Sequence, residues 1–314
     1  MLIACLLGAS RGGALWAQGG ASGGSLLDIP ATPRALALQG AYASVVGDEG
    51  SIFVNPAGMA PIHHLVLGLS YEQGLMGSRL STGALAMRLG HSFDVGFGVM
   101  YQDLGGDSVV VPDPSTGGDF GQTTGALISA WNGLAVGALA YRRGMLSLGG
   151  SVKVLHEEIG GGSAAYRSSA VGGDIGFAIA VFDIFSLGAV LQNIGGTSHA
   201  TSANAASLPR TGRIGFTLNF IDPQGTARLM ATTDWVKPPG SASYWALGFE
   251  GGVVADGMGV LGRLGVATGR APTDRKGLSL GAGLVVRAIR VDYAWQPYGA
   301  LAGSEQRLGV RWIP

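Results

Sequence analysis

Several short patterns in this chain have spacings that can carry chemistry. Gly257-Met258-Gly259-Val260-Leu261-Gly262 fits G-x-G-x-x-G, in which glycines let a strand-to-helix turn approach a dinucleotide pyrophosphate. Gly277-Leu278-Ser279-Leu280-Gly281 fits G-x-S-x-G, the turn that exposes a nucleophilic serine; Gly8-Ala9-Ser10-Arg11-Gly12 fits it too. His63-His64 and Glu157-Glu158 are pairs of ligand-type side chains. None has the setting its chemistry needs. Glycine makes up 56 of 314 residues, so chance alone supplies about two G-x-G-x-x-G spacings, and the pattern informs only between a strand and a helix. Ser279 stands in an alternating segment with no helix after it, as a lumen-facing hydroxyl, and an esterase would need a His and a carboxylate beside it. The His pair opens a strand and the Glu pair ends one at a loop, reading as interfacial and solvated. A single Cys and five scattered His cannot assemble a zinc cluster of the usual spacing, and Cys5 excludes an internal disulfide. No P-loop is present. We expect no catalytic residue, no metal and no cofactor.

The remaining candidates are isolated charges. Asp174, Asp234, Glu250, Arg263, Arg290 and Asp292 each occupy the polar side of a segment whose other side is apolar. An unpaired charge in hydrocarbon is costly, so such residues should face inward and pair. They can form a structural network holding a luminal segment, or a selectivity or ligand-contact site. Asp48, Glu49 and Asn55 are expected partners for Arg263 and Arg290.

These charges need elements to position them. The chain is 47% hydrophobic and 13% charged, with 20 basic and 20 acidic residues and a net charge of +0. Disordered chains are polar and charged; collagen needs glycine at every third position; a nucleic-acid surface needs a basic excess. All three classes are excluded, nucleic acid among the partners. Only Lys153, Lys237 and Lys276 are lysines; the arginine excess suits fixed hydrogen-bonded networks. Gln122 to Tyr141 is uncharged and long enough for a membrane helix, yet it holds Thr123, Thr124, Asn132 and several glycines, and short basic loops are missing. Elsewhere the period is two. Phe93–Gln102, Val171–Ile179, Ile214–Phe220 and Ile289–Gln296 alternate apolar residues with small or polar ones, as strands with one face in lipid do.

Segmentation gives fourteen strands over 62–75, 78–90, 92–103, 122–142, 145–158, 166–182, 184–195, 210–221, 226–236, 243–252, 258–268, 276–287, 289–297 and 305–313. We therefore expect an all-β, antiparallel transmembrane barrel, since an even number of strands closes without an edge. Tight turns fall at Gly144 and Asp183; long connections fall at 103–121, 159–165, 196–209 and 297–304. Trp235, Tyr244, Trp245, Tyr293, Trp295 and Trp312 lie near strand ends, where an aromatic girdle forms, although each could equally be packing. At the N-terminus, Leu2–Leu7 followed by Leu15-Trp16-Ala17 reads as a signal peptide over 1–18. Leu2-Ile3-Ala4-Cys5 also has the look of a lipoprotein box. Residues 19–61 form a tether and a luminal plug, and 62–314 the barrel. Fourteen strands enclose more space than their own side chains fill, and 28–61 do not alternate. Pro33–Ala43 suggests a short helix or an irregular plug. Asn55-Pro56-Ala57-Gly58 reads as a turn in which Pro fixes φ and Gly accepts a positive φ.

At these residues the chain resembles the PorV/PorQ family of outer-membrane proteins, which have a FadL-like barrel. The likeness runs over Pro33-Arg34-Ala35-Leu36, Gly40-Ala41-Tyr42, Asp48 and Asn55-Pro56-Ala57-Gly58. It resumes at Gly149–Lys153 and Gln192–Gly195 and ends at Asp292-Tyr293-Ala294-Trp295-Gln296-Pro297-Tyr298-Gly299, with Arg307 beyond. Relatives often carry His before the last strand, where this chain has Glu305-Gln306-Arg307. The resemblance implies a bacterial outer-membrane barrel of fourteen strands with its N-terminal segment inside. It also implies an accessory role in type IX secretion, contacting a large translocon barrel or the C-terminal domains of secreted cargo through long loops and rim. The alternative is FadL-like transport of a small hydrophobic molecule, which requires an apolar pocket at the plug and a lateral opening in the wall. Outer-membrane lipid is a partner in either case.

Overall fold

The computed structural model describes residues 24–60, 62, 64–74, 77–112, 115, 121–160, 166–181, 184–197, 199–200, 207–221, 226–268, 277–299 and 303–314. The expectations for the signal peptide, the tether up to residue 23, His63 and Asp183 lie outside these residues. Alternating segments become strands β1 (Leu65–Gln73), β2 (Arg79–Leu89), β3 (Phe93–Pro112), β4 (Gly121–Arg143), β5 (Leu146–Gly160), β6 (Tyr166–Val181) and β7 (Phe185–Gly195). After the two-residue β8 (His199–Ala200) come β9 (Thr211–Ile221), β10 (Ala227–Lys237), β11 (Tyr244–Ala255), β12 (Met258–Thr268), β13 (Leu278–Val286), β14 (Ile289–Pro297) and β15 (Ser304–Trp312). Every pairing is antiparallel between chain neighbours, with β7 against β9. First and last strands join from Leu67↔Trp312 to Gln73↔Gln306. The fourteen long strands thus close into one ring, with β8 as a flap on β6. Closure satisfies each main-chain group inside the wall, which hydrocarbon demands.

Alternation sorts side chains by face. Along β3, Phe97, Val99 and Tyr101 stand outward at 61%, 57% and 51% exposure, while Asp94 and Met100 point inward and are buried. Val171 and Ile175 on β6, Ile214 and Phe220 on β9, and Val310 on β15 continue the same exposed apolar surface. Trp245, Tyr293 and Trp312 also face outward; Trp235, Tyr244 and Trp295 are half-buried. Among the described residues no helix is long and apolar enough to cross a membrane. The uncharged Gln122–Tyr141 belongs to β4. Its inward residues Leu134, Val136, Ala138 and Ala140 are apolar like its outward Leu139 and Tyr141, and a strand apolar on both faces has the hydropathy of a helix.

The ring is tight at one end and loose at the other. Gly144 (φ 62) and the Asp256-Gly257 pair (φ 52 and 73) make the two-residue turns of hairpins. At the far end β3 runs on to Pro112, past the expected stop at residue 103. Its pairing with β2 ends at Asp103↔Arg79, but pairing with β4 continues to Pro112↔Gly121. A bulge at Leu104-Gly105 (Gly105 φ +85, its amide donating 2.8 Å to Asp103 Oδ1) re-aims this two-stranded extension. Asp and Gly in 103–107 read locally as loop, whereas a partner strand makes them ladder.

Residues 24–60 and 62 lie within the ring. Thr32 caps α1 (Pro33–Ala37) by accepting from the Ala35 amide, Pro33 stands at the first position, and Gln39 and Gly40 end the helix at positive φ. A single turn, α2 (Ser51–Val54), precedes a 3₁₀ turn at Pro56–Met59 capped by Asn55, whose Oδ1 accepts from the Ala57 amide. This corrects the expected turn: Gly58 is not among the positive-φ residues. Glycine is required there because a Cβ would meet the Val45 carbonyl oxygen at 2.6 Å.

Candidate functional site

Irregular backbone inside a barrel must find partners for its amides and carbonyls, and inward side chains of the wall supply them. Asp234 on β10 accepts from the consecutive amides of Tyr42 (3.0 Å) and Ala43 (2.9 Å). Ser279 on β13 donates to the Ala37 carbonyl at 3.0 Å, so its hydroxyl is a tether. Ser186 reaches the Ser44 carbonyl (2.6 Å), Gln192 that of Val54 (2.9 Å), Arg213 that of Gly40 (3.0 Å) and Arg88 that of Ala60 (2.6 Å). From the segment, Asn55 Nδ2 donates to the Ala43 carbonyl at 2.6 Å and to that of Phe177 on β6 at 3.1 Å. Glycines on the wall allow this proximity: a Cβ on Gly149 would stand 2.2 Å from the Ala57 nitrogen, and one on Gly188 2.0 Å from the Ala43 oxygen.

Of the six expected charges, the structure gathers four. Glu250 on β11 receives both forks of Arg34 from α1 (2.9 Å each), Arg263 Nε (2.6 Å) and Arg290 Nη2 (3.3 Å). Asp292 on β14 pairs with Arg263 (2.8 Å) and Arg290 (3.2 Å). The segment's own carboxylates do not take Arg263 or Arg290 as the sequence suggested. Asp48 pairs with Arg34 at 2.8 Å and with Arg311 on β15, and Glu49 pairs with Arg311 at 3.0 Å. The result is four arginines against four carboxylates, all buried or nearly so. Burial pushes the Asp48 carboxyl up, but Arg311 and Arg34 outweigh it and hold Asp48 well below the usual carboxylate range. Burial, against the pull of Arg311 and with the push of Asp48, leaves Glu49 above its ordinary value.

The other two stand apart. Asp234 is the amide clamp already described, with Arg213 at 3.9 Å. Asp174 on β6 pairs with Lys153 on β5 at 2.8 Å and accepts from the Asn193 amide (2.9 Å) at a bulge where two residues of β7 face one of β6, Asn193 taking φ 56. Of the C-terminal motif residues, Asp292 alone joins the network. Tyr293 faces outward and donates to Gln306 Oε1 at 3.0 Å, Pro297 ends β14 and Gly299 lies in the bend beyond it. Glu305 and Arg307 lie within the last strand, facing inward. Arg307 binds Glu72 (Nε at 2.7 Å), Glu305 (3.0 Å) and the Pro30 carbonyl. Arg34, Arg311 and Glu72 were missed as site residues; the available signal was strand parity, which puts Arg307 and Arg311 on one face with Asp292's side of the wall. Glu157 faces inward and accepts from the Gly24 amide at 3.1 Å, while Glu158 pairs with Arg167 at 3.1 Å, so the Glu pair is not simply solvated. Asp256-Gly257 is a hairpin turn into β12, with no helix for a dinucleotide. No group of three or more His, Cys, Asp or Glu among the described residues could hold a metal.

Beside the segment, under the end of the barrel with long connections, lies a narrow cleft. Leu26, Leu27, Ile29, Phe53 and Val54 form its segment side and Met100 and Leu134 its wall; Lys153, Gln192 and Arg213 stand at its edge. Those polar groups are committed, Lys153 to Asp174 and Arg213 Nε to Gln192 (2.8 Å). With Asp28 also in its lining, the cleft presents apolar and polar surface in similar measure.

The whole architecture matches solved structures. The chain superposes on the Ralstonia pickettii toluene transporter TbuX with a TM-score of 0.60, covering 90% of this chain and 98% of that one at 13% identity. The fold is FadL-like. The Pseudomonas putida toluene transporter TodX gives 0.61 over 90% and 97% at 13% identity, and a Pseudomonas aeruginosa FadL homologue 0.57 over 90% and 98% at 14%. At these identities the FadL-like match is one of fold. No family model matches the chain, and no curated protein matches its sequence.

Proposed function

We propose that the protein is a bacterial outer-membrane channel for small, uncharged hydrophobic molecules, with residues 24–60 as its luminal plug. The observation that carries this reading is the narrow cleft between plug and wall, where Leu26, Leu27, Ile29, Phe53, Met100 and Leu134 offer apolar contact while Lys153 and Arg213 at its edge are already paired. The neighbours of like fold include toluene transporters, which supports transport over secretion; the PorV/PorQ likeness and the type IX role rest on short motifs alone. The exposed apolar girdle suits a lipid surround. A ligand leaving the cleft must pass a plug held by hydrogen bonds and ion pairs, so passage requires part of that grip to open.

The test is binding of toluene to the detergent-purified protein, read by displacement of an environment-sensitive apolar dye, followed by toluene uptake into proteoliposomes. Leu134→Glu puts an unpaired carboxylate in the cleft wall and is expected to abolish displacement and uptake while the barrel's strand-rich circular dichroism persists. Toluene binding unchanged in Leu134→Glu overturns the assignment of the cleft.

A further inference from the structure

The end of the barrel with tight turns carries a second recess of opposite character. His64, Arg88, His91 and Arg142 converge there with Gly90 on an open vestibule. Arg88 and Arg142 occupy inward positions of β2 and β4, next to the turns at 90–92 and 144–145. Arg88 is pre-set: its Nε donates to Asp94 Oδ1 at 3.0 Å and its Nη2 to the Ala60 carbonyl at 2.6 Å, with 16% of the side chain left exposed. Asp94 is fully buried and does not itself line the recess. Among the described residues, Arg142, His64 and His91 have no carboxylate partner. Gly90 leaves the mouth unobstructed, with nothing within 4 Å of where a Cβ would stand.

We infer that this vestibule binds an oxyanion of the phosphate class. Arg142 presents a planar fork with no carboxylate on it, Arg88 adds the guanidinium nitrogen left over by its bonds to Asp94 and Ala60, and two imidazoles add N–H donors. No carboxylate lines the recess itself, so the charge of Arg142 is not opposed there and attracts such a ligand. The network of four arginines deeper in the lumen carries no such capacity, because each guanidinium there already has its carboxylates. Two sources share this chemistry: a soluble phosphate-bearing molecule at the tight-turn side, and the headgroup of an anionic lipid reaching the rim. The site stands independently of the transported molecule.

The experiment compares the wild-type protein with Arg142→Gln/His91→Gln, and with Arg142→Lys as the charge-keeping control. Pyrophosphate is titrated calorimetrically into each protein in detergent, and thermal unfolding is followed in nanodiscs of phosphatidylglycerol and of phosphatidylcholine. Wild type is expected to bind pyrophosphate, the double variant at least tenfold more weakly, and Arg142→Lys in between, with the ligand-free unfolding temperature unchanged. Stabilisation of wild type by phosphatidylglycerol alone, lost in the double variant, assigns the same site to lipid phosphate. Equal pyrophosphate binding by all three proteins, or no difference between wild type and double variant with either probe, overturns the inference.

Discussion

The inner wall has two halves that hold the same segment in different ways. Over β2–β5 the inward residues are mainly apolar, with Leu80, Ala84, Ala86, Met100, Leu134, Val136 and Leu155 in one cluster with Leu26, Ile52, Phe53 and Met59 of the segment, and charges such as Arg88, Asp94 and Lys153 interspersed. Over β11–β15 they are Glu250, Arg263, Arg290, Asp292, Arg307 and Arg311. Apolar contact has no direction and falls off gradually with lost area, so surfaces there can part and leave a cleft. Buried charges tolerate no such slack, since a group that loses its partner keeps its full desolvation penalty. The difference divides the labour: the charged half fixes where the segment sits, and the apolar half is where it can yield.

The largest expected effect tests the rigid half. Glu250→Ala takes one carboxylate from each of Arg34, Arg263 and Arg290, leaving Asp48 to the first and Asp292 to be shared by the other two, and removal of one partner from a buried ionic group costs about 3–5 kcal/mol. The denaturation midpoint in detergent should fall accordingly, together with protease protection of residues 24–60. Leu134→Ala probes the yielding half. Truncating a buried leucine costs about 2–5 kcal/mol, and the adjoining cleft places this site near the lower bound; dye binding should persist or rise. A larger loss for Leu134→Ala than for Glu250→Ala would reverse the comparison.

The smallest effect is a pH slope. Glu49 lies above its ordinary value, so its contribution to stability is complete below the unfolded carboxylate range and fades as pH rises through its raised folded value. Asp48 lies below, so its contribution holds above the unfolded range and is lost only as pH falls through its lowered folded value. From the ordinary glutamate range upward, Glu49→Gln should therefore gain stability relative to wild type as pH rises, measured as the difference between their midpoints. A difference that shrinks with pH contradicts the ordering of the two carboxyls.

Alternation made the strands legible, because each residue's face is set by its own parity. The fourteen segments expected from 62–75 to 305–313 correspond to the fourteen long strands, and only the β3 extension departs widely. Partners across the lumen were not legible. Arg263 and Arg290 find Glu250 and Asp292 through strand register, and Asp48 finds Arg311 through the path of a segment with no period of its own. The apolar inner half was half visible: the uncharged run in β4 showed that both faces were apolar, and that pattern admits helix and strand alike. The tether role of Ser279 needed only its inward parity, but its partner at Ala37 is 242 residues away.

The wall's hold on residues 24–60 is mostly a hold on main chain: carbonyls at Ala37, Gly40, Ser44, Val54 and Ala60, and amides at Tyr42 and Ala43. Such a clasp is blind to most side chains of what it clasps. Outside Arg34, Asp48, Glu49 and Asn55, whose side chains take part in the hold, the segment's composition can therefore change without unfastening it. The lining of the segment and its latch can thus vary on separate stretches of the chain.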